Sequence, residues 1–113
     1  MKIFHLDRQV GAQRDSGKSW TEFFRVPALS LGLYMLRPGE DDPQTPHAED
    51  EIYYVLRGRA RFRAGDEDLP VQTGDLIFVE AKAGHRFHTV TEEIVLLVAF
   101  APAEDEEAAR RLV

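Results

Sequence analysis

Residues 44–58, QTPHAEDEIYYVLRG, place His47 four residues ahead of Glu51, at the start of a run of β-branched and aromatic residues. A second segment, residues 73–88, TGDLIFVEAKAGHRFH, delivers His85 after another strand-like run. Two imidazoles and one carboxylate from the ends of neighbouring strands suit a divalent metal that keeps open positions for a substrate. These two segments together predict a small metal-binding β-barrel.

The first segment also has a helical interpretation. Thr45 is a good helix cap, Pro46 suits the first helical position, and the acids at 49–51 would lie in the first turn. The histidine and the glutamate would then merely share an exposed helix face. The continuation at 52–55, IYYV, is poor for a helix and good for a strand, so the strand is favoured.

The rest of the chain consists mostly of short β-favouring runs separated by turn signals, which is typical of a closed sandwich or barrel. Only residues 103–112 look helical, and a short C-terminal helix or a frayed tail are both compatible with them. The predicted strands are 3–6, 20–26, 29–36, 52–56, 60–63, 69–72, 76–79, 85–90 and 94–100.

The composition excludes several classes of protein. A chain of 113 residues predicts one domain, and with no cysteine any metal must be held by His, Asp and Glu. The net charge of -6, without a large Lys/Arg cluster, argues against nucleic acid as a partner. The charged residues near the start argue against a signal peptide, and no apolar run could span a membrane, so we expect a cytoplasmic protein.

Alternation along the strands predicts which side chains point inward. If Glu51 faces the interior, Tyr53 follows it, whereas Ile52 and Tyr54 face outward. The same logic separates His85 from His88, which is therefore not expected to be a ligand. Because both faces of residues 52–56 are apolar, a subunit partner is expected to cover the outer face.

Turns and charge runs have plainer interpretations. The alternating arginines at 57–63 predict a solvated hairpin that turns at Gly58, with Glu67 and Asp68 as partners. The acidic run 40–42, EDD, is interpreted as a solvated loop.

The first segment resembles the first motif of the cupin superfamily. That motif has a glycine, two histidines spaced by one residue, a glutamate and a second glycine, and Gly39, His47, Glu51 and Gly58 match it in spacing. Thr45 stands where the first histidine is usual. The second motif (74–89) is matched by a glycine at 74 and a histidine at 85.

The second motif has two departures from the pattern. Glu80 stands where proline is usual, and Lys82 stands where glycine is usual. Gly84 is expected to absorb the backbone strain of the turn before His85, because glycine readily adopts a positive φ.

The resemblance implies a double-stranded β-helix (jelly-roll) cupin barrel over residues 1–113, with motif one at 39–58 and motif two at 74–89. It implies a metal held by His47, Glu51 and His85. A two-histidine, one-carboxylate set favours Fe(II) or Mn(II), with Zn or Ni as alternatives. The resemblance also favours a homodimer formed by sheet packing.

Four further residues are predicted to surround the metal, and no catalytic residue is assigned. Thr45 and Gln44 are predicted to bond to a metal-bound water, and Tyr53 and Phe87 are predicted to form the pocket wall. Three functions stay open: a metal-dependent dioxygenase, isomerase or lyase acting on a small oxygenated molecule, a non-catalytic small-ligand-binding module, or a structural barrel without metal.

Overall fold

Antiparallel strands dominate the computed structural model, which describes residues 1–44 and 46–105. In chain order the elements are α1 (Leu6–Ser16), β1 (Trp20–Val26), β2 (Leu29–Leu36), β3 (Asp50–Ala64), β4 (Glu67–Gln72), β5 (Leu76–Val79) and β6 (His85–Ala101). The strand order is β1-β2-β6-β3-β4, with β5 paired to β3, and every pairing is antiparallel. The predicted all-β architecture is confirmed.

Two long strands, β3 and β6, connect the two halves of the fold. Each combines two predicted short strands, and the register between them shifts on both sides of Gly58. The predicted hairpin at Gly58 is wrong, because β3 continues through this residue and turns back only around Gly65. Gly58 has φ 100, and a Cβ there would lie 2.0 Å from the carbonyl oxygen of Glu93. The glycine is therefore needed for a bend that brings two strands into close contact.

The N-terminal segment departs from the prediction of a strand at residues 3–6, since residues 3–5 form no regular element and α1 begins at Leu6. Gly17 ends the helix in a left-handed conformation, and its amide donates to the carbonyls of Gln13 and Arg14. The buried Gln13 side chain donates to the backbone oxygens of Ser19 and Leu33 at 2.8 and 3.0 Å. The helix is thus held by tertiary hydrogen bonds that cannot be predicted from its own sequence.

The alternation predicted for β3 is confirmed. Glu51, Tyr53 and Val55 are buried, whereas Ile52 and Tyr54 are exposed. The inward side chains join one apolar cluster between the two halves of the sheet, built from Trp20, Tyr34, Leu36, Tyr53, Val55, Ala60, Phe62, Val71, Val79, Phe87, Val90, Ile94, Leu96, Val98 and Phe100.

The C-terminal segment is described only as far as residue 105. Most of the helix or tail predicted at 103–112 therefore lies outside the described residues. Within the part of the chain that the structure describes, no helix is long and apolar enough to cross a membrane.

Candidate metal centre

Three chain segments deliver the candidate ligands to one end of the core. Glu51 is the second residue of β3, His85 opens β6, and His47 lies in the loop before β3. The Lys82 amide donates to the carbonyl of His47 at 2.6 Å, which ties this loop to the turn before His85. The expectation for that turn was wrong: Lys82 itself adopts the positive φ of 68, and Gly84 does not.

The side chains of His47, Glu51 and His85 converge in the interior. One ligand atom from each lies within 4.8 Å of the others. Their side chains are enclosed, with residue exposures of 4%, 2% and 9%. Isolated buried carboxylates and imidazoles are costly, so such a group needs hydrogen bonds or a cation to balance it.

The His85 ring is oriented by the main chain. Its Nδ1 lies 2.8 Å from the carbonyl oxygen of Ala83, which can accept only from a protonated nitrogen. In the neutral ring this leaves the lone pair on Nε2, which faces Glu51 Oε1 at 2.9 Å and the Tyr53 hydroxyl at 3.0 Å. The Glu51 oxygen lies outside hydrogen-bonding geometry and has no hydrogen-bond partner among the described residues.

The His47 ring lies between two different partners. Its Nδ1 is 3.3 Å from Glu104 Oε2, and its Nε2 is 3.4 Å from the side-chain oxygen of Gln44. Both histidines therefore have Nδ1 near an oxygen, and Nε2 of His85 lies beside another candidate ligand, Glu51. A proton on Nδ1 of each ring would leave Nε2 free to coordinate a metal.

A hydrogen-bonded chain supports the site from one side. The Tyr53 hydroxyl donates to Gln44 Oε1 at 2.6 Å, and the Gln44 amide donates to Asp42 Oδ2 at 2.7 Å. Asp42 also accepts from the Tyr34 hydroxyl at 2.7 Å and the Phe87 amide at 2.8 Å. Asp42 is buried, so the interpretation of the whole EDD run as a solvated loop was wrong.

Several buried acidic side chains of the site have carboxylate oxygens without a hydrogen-bond partner among the described residues. Glu49, Glu51 and Glu104 are all buried, and each has at least one carboxylate oxygen without a hydrogen-bond partner in the described residues. Burial, reinforced by the charges of Glu51 and Glu49, raises the pKa of Glu104 to about 8. The site thus holds more carboxyl oxygens than its hydrogen-bond donors satisfy.

The pKa values of the two imidazoles are shifted in opposite directions. Burial lowers the pKa of His47, which favours its neutral form. Burial alone would also lower the pKa of His85, yet the adjacent Glu51 carboxylate and Ala83 carbonyl raise it above its ordinary value. Burial and the charge of Glu51 raise the pKa of Tyr53, so its hydroxyl stays protonated.

The other predicted site residues have different outcomes. Gln44 and Tyr53 contact the cluster directly, and the Phe87 ring packs on Tyr53 with centroids 5.0 Å apart. Thr45 lies outside the described residues. His88 Nε2 lies 2.9 Å from Asp68 Oδ1 at the surface, away from the cluster.

Asp42 and Glu104 are two residues of the site that were missed from the sequence. Both belong to stretches rich in acids and proline, which look solvated when read alone. The one available signal for Asp42 was its position inside the first motif, residues 39–58.

Comparison with known proteins identifies the fold family. A family model of the cupin domain matches residues 32–100, well over half of the 113 residues. The chain belongs to the cupin family. The predicted jelly-roll barrel and the resemblance to small bacterial cupins are thereby confirmed.

Several relatives of this cupin are informative. It is 38% identical over 104 residues to the uncharacterised protein SCO3923 of Streptomyces coelicolor, covering 92% of this chain and 99% of that protein. The structure of TT1209 from Thermus thermophilus is 28% identical, with a TM-score of 0.71 over 91% of this chain and 99% of that one. A chain from the crystal structures of the DMSP lyases RdDddP and RnDddQII is 30% identical, with a TM-score of 0.65 over 73% of this cupin and 46% of that chain.

Proposed function

We propose that this cupin binds a divalent metal through His47, Glu51 and His85. The observation that carries the proposal is the convergence of three buried ligand atoms within 4.8 Å, one of them a carboxylate oxygen without a hydrogen-bond partner in the described chain. A cation at this point would satisfy that oxygen and accept one lone pair from each imidazole. Two histidines and one carboxylate favour Fe(II) or Mn(II), with Zn or Ni as alternatives.

The charge balance of the surroundings supports the same proposal. Glu49, Glu51 and Glu104 are buried beside two imidazoles, and the pKa of His47 is lowered by burial. The pKa of His85 is raised, but coordination requires both imidazoles to be neutral, and the ionised carboxylates then leave the site negatively charged. A divalent cation compensates this charge, whereas an empty barrel would have to keep carboxyl groups protonated.

The proposed activity is metal-dependent chemistry on a small oxygenated organic molecule, of the dioxygenase, isomerase or lyase type. A metal with three protein ligands leaves positions for a substrate and acts as a Lewis acid or an oxygen activator. The likeness to a chain among DMSP lyases gives weight to the lyase class. Glu51 cannot be a free base while it is a ligand, and Tyr53, Gln44 and Phe87 orient what binds there. Thr45 is proposed to bond to a metal-bound water.

The direct test has two stages. Protein purified without chelators is analysed for metal, and metal-free protein is titrated with Mn(II) and, anaerobically, with Fe(II). We expect one bound metal per chain. The loaded protein is then offered panels of catechols, β-diketones, keto-sugars and sulfonium carboxylates. A protein that binds metal but converts none of them is instead a binding module, which ligand-induced thermal shifts that survive chelation would identify. A protein that binds neither metal nor ligand is a structural barrel.

We also propose that the chain, as a single cupin domain, forms a cytoplasmic homodimer. The outer face of β3 and β5 carries two exposed cross-strand pairs, Ile52 with Phe78 and Tyr54 with Leu76. Phe78 and Leu76 are 65% and 68% exposed, and none of the four side chains is charged. For a chain of net charge -6, a second copy of this uncharged patch is the partner that buries it without pairing like charges.

Substituting the patch is expected to dissociate the dimer. The variant Phe78→Asp places a charge in the middle of the patch, so we expect the mass measured by light scattering to halve. The matched control is Ile3→Asp, which alters an equally exposed apolar residue outside the patch. A wild-type protein that is monomeric at high micromolar concentration would refute the dimer, and a Phe78→Asp dimer would refute this interface.

A further inference from the structure

The side chain of Glu104 is a part of the site that neither motif contains. Its residue exposure is 0%, and both carboxylate oxygens lack a hydrogen-bond partner among the described residues. One of them, Oε2, lies 3.3 Å from His47 Nδ1. The three converging ligand atoms belong to other residues, so Glu104 lies behind a candidate ligand rather than among the ligands.

The backbone around Glu104 is held in place by the β1–β2 hairpin. The Glu104 amide donates to the Ser30 hydroxyl at 2.9 Å, and its carbonyl oxygen accepts from the Arg25 guanidinium. The preceding Ala103 amide donates to the Pro27 carbonyl at 3.3 Å. Three hydrogen bonds to one hairpin therefore fix where the carboxylate enters the barrel. A glutamate on a solvated segment would need none of these three hydrogen bonds.

We propose that Glu104 is a positioning residue for His47. When the site holds a metal, a carboxyl oxygen of Glu104 accepts the Nδ1 proton of His47, which leaves the lone pair of the ring on Nε2 for the site that His47 shares with Glu51 and His85. The inference rests on the proposed metal site. A small rotation of the ring converts the present 3.3 Å approach into a hydrogen bond.

A comparison of the two histidines within the same site supports this role. His85 uses a neutral backbone carbonyl, that of Ala83, to hold its Nδ1 proton. His47 lies in a loop, where the corresponding acceptor is a buried carboxylate. A carboxylate raises the basicity of an imidazole ligand more than a carbonyl does, and outer partners of this kind commonly change metal affinity by about 10- to 100-fold. Glu104 therefore contributes to metal binding although it is not itself one of the three ligands.

The test compares metal affinity with the stability of the metal-free protein. Dissociation constants for Mn(II) are measured by chelator competition in wild type, Glu104→Gln and Glu104→Leu, and thermal unfolding is measured without metal. We expect affinity to fall in that order, by about 10- to 100-fold for leucine, because glutamine keeps an acceptor and leucine does not. We expect the Tm of metal-free Glu104→Leu to equal or exceed that of wild type, since leucine replaces a buried carboxyl without hydrogen bonds.

Affinity and stability moving in different directions is the signature of a positioning role. Glu93→Gln is the control, because it removes another acid, which forms an ion pair with Arg14 at 2.6 Å near the surface. Unchanged Mn(II) affinity in both Glu104 variants, or affinity and metal-free Tm falling together, would overturn the inference while leaving the metal site intact. A wild type that binds no Mn(II), Fe(II), Zn(II) or Ni(II) would overturn the proposed metal site itself.

Discussion

Replacing His85 with alanine is expected to abolish tight metal binding. The substitution removes one of three ligands, so the loss of Mn(II) affinity should exceed the about 10- to 100-fold that loss of an outer partner causes. His47→Ala should have the same effect. The measurement is chelator competition with metal-free protein at pH 7.5 or above, because the ligands must be deprotonated to bind a metal. Folding of each variant is checked by circular dichroism, because both rings also pack in the interior.

His88→Ala is the matched control for this prediction. His88 lies three residues further along β6, but its ring faces Asp68 at the surface, with Nε2 2.9 Å from Oδ1. We expect its removal to leave metal affinity unchanged. If His88→Ala weakened binding as much as His85→Ala, or if a folded His85→Ala bound metal as wild type does, the ligand set proposed here would be wrong.

The second large effect concerns pH. The metal-free protein is expected to lose stability as the pH rises from about 5 to about 8, whereas the metal-loaded protein gains stability over the same range. The cause lies in buried groups that hold protons in the folded state. The pKa of Glu104 is raised to about 8 by burial and by the charges of Glu51 and Glu49.

The sign of the metal-free effect follows from proton linkage. Glu104 stays protonated in the folded protein at pH values where the unfolded chain, with a carboxyl pKa near 4.5, has released its proton. Its contribution to stability is therefore fully present below about pH 4.5 and is lost as the pH rises through about 8. A tenfold change in an acid dissociation constant corresponds to about 1.4 kcal/mol, so the protonation of Glu104 changes the free energy of unfolding by several kcal/mol in order of magnitude.

The two histidines modify this dependence in opposite directions. His85, with a raised pKa, contributes stability that is present below its unfolded pKa of 6.5 and is lost as the pH rises through its higher folded value. His47 has the opposite effect, because burial lowers its pKa in the folded protein. Below about pH 6.5 the unfolded chain binds a proton at His47 more readily than the folded chain does, so His47 contributes stability that increases with pH. Glu104 and His85 both favour the folded state at low pH, and His47 opposes them, so we expect the stability of the metal-free protein to fall as the pH rises.

Metal reverses the slope because the ligands must be deprotonated to bind. Because the pKa of His85 lies above 6.5, protons still compete with the metal at pH values above 6.5. The affinity for metal, and the stabilisation that metal binding gives, should therefore increase as the pH rises. The measurement is thermal or urea unfolding at several pH values, with chelator and with excess Mn(II). Glu104→Gln should flatten the metal-free curve. Parallel curves with and without Mn(II) would contradict the assignment of these groups to a metal site.

The sequence alone was sufficient for much of the barrel and for the three candidate ligands. Alternation along β3 follows from the period of two in any strand, so the burial of Tyr53 with Glu51 could be predicted. The spacing of His47 and Glu51 is local, because both lie within five consecutive residues of one segment. His85 could be added because a second strand-like run with its own glycine precedes it.

Other features depended on contacts that no local pattern contains. A glycine with positive φ suits a hairpin or a bend equally, and only the register of β3 against β6 decided that Gly58 is a bend. Helix α1 is held by Gln13, whose hydrogen bonds reach Ser19 and Leu33. The helix propensity of this segment is weak, since Gly11 lies in its middle.

Asp42 and Glu104 mark the boundary between what the sequence determined and what the tertiary structure decided. Residue types and spacings within a strand determine which side chains face inward, and this defined the core and the candidate ligands. Whether an acid outside the strands is solvated or buried depends on where the chain folds back. The long loop carries Asp42 under the Phe87 amide, and the β1–β2 hairpin holds the backbone of Glu104. Burial of these two carboxylates is therefore a property of distant segments meeting, which only the folded structure decides.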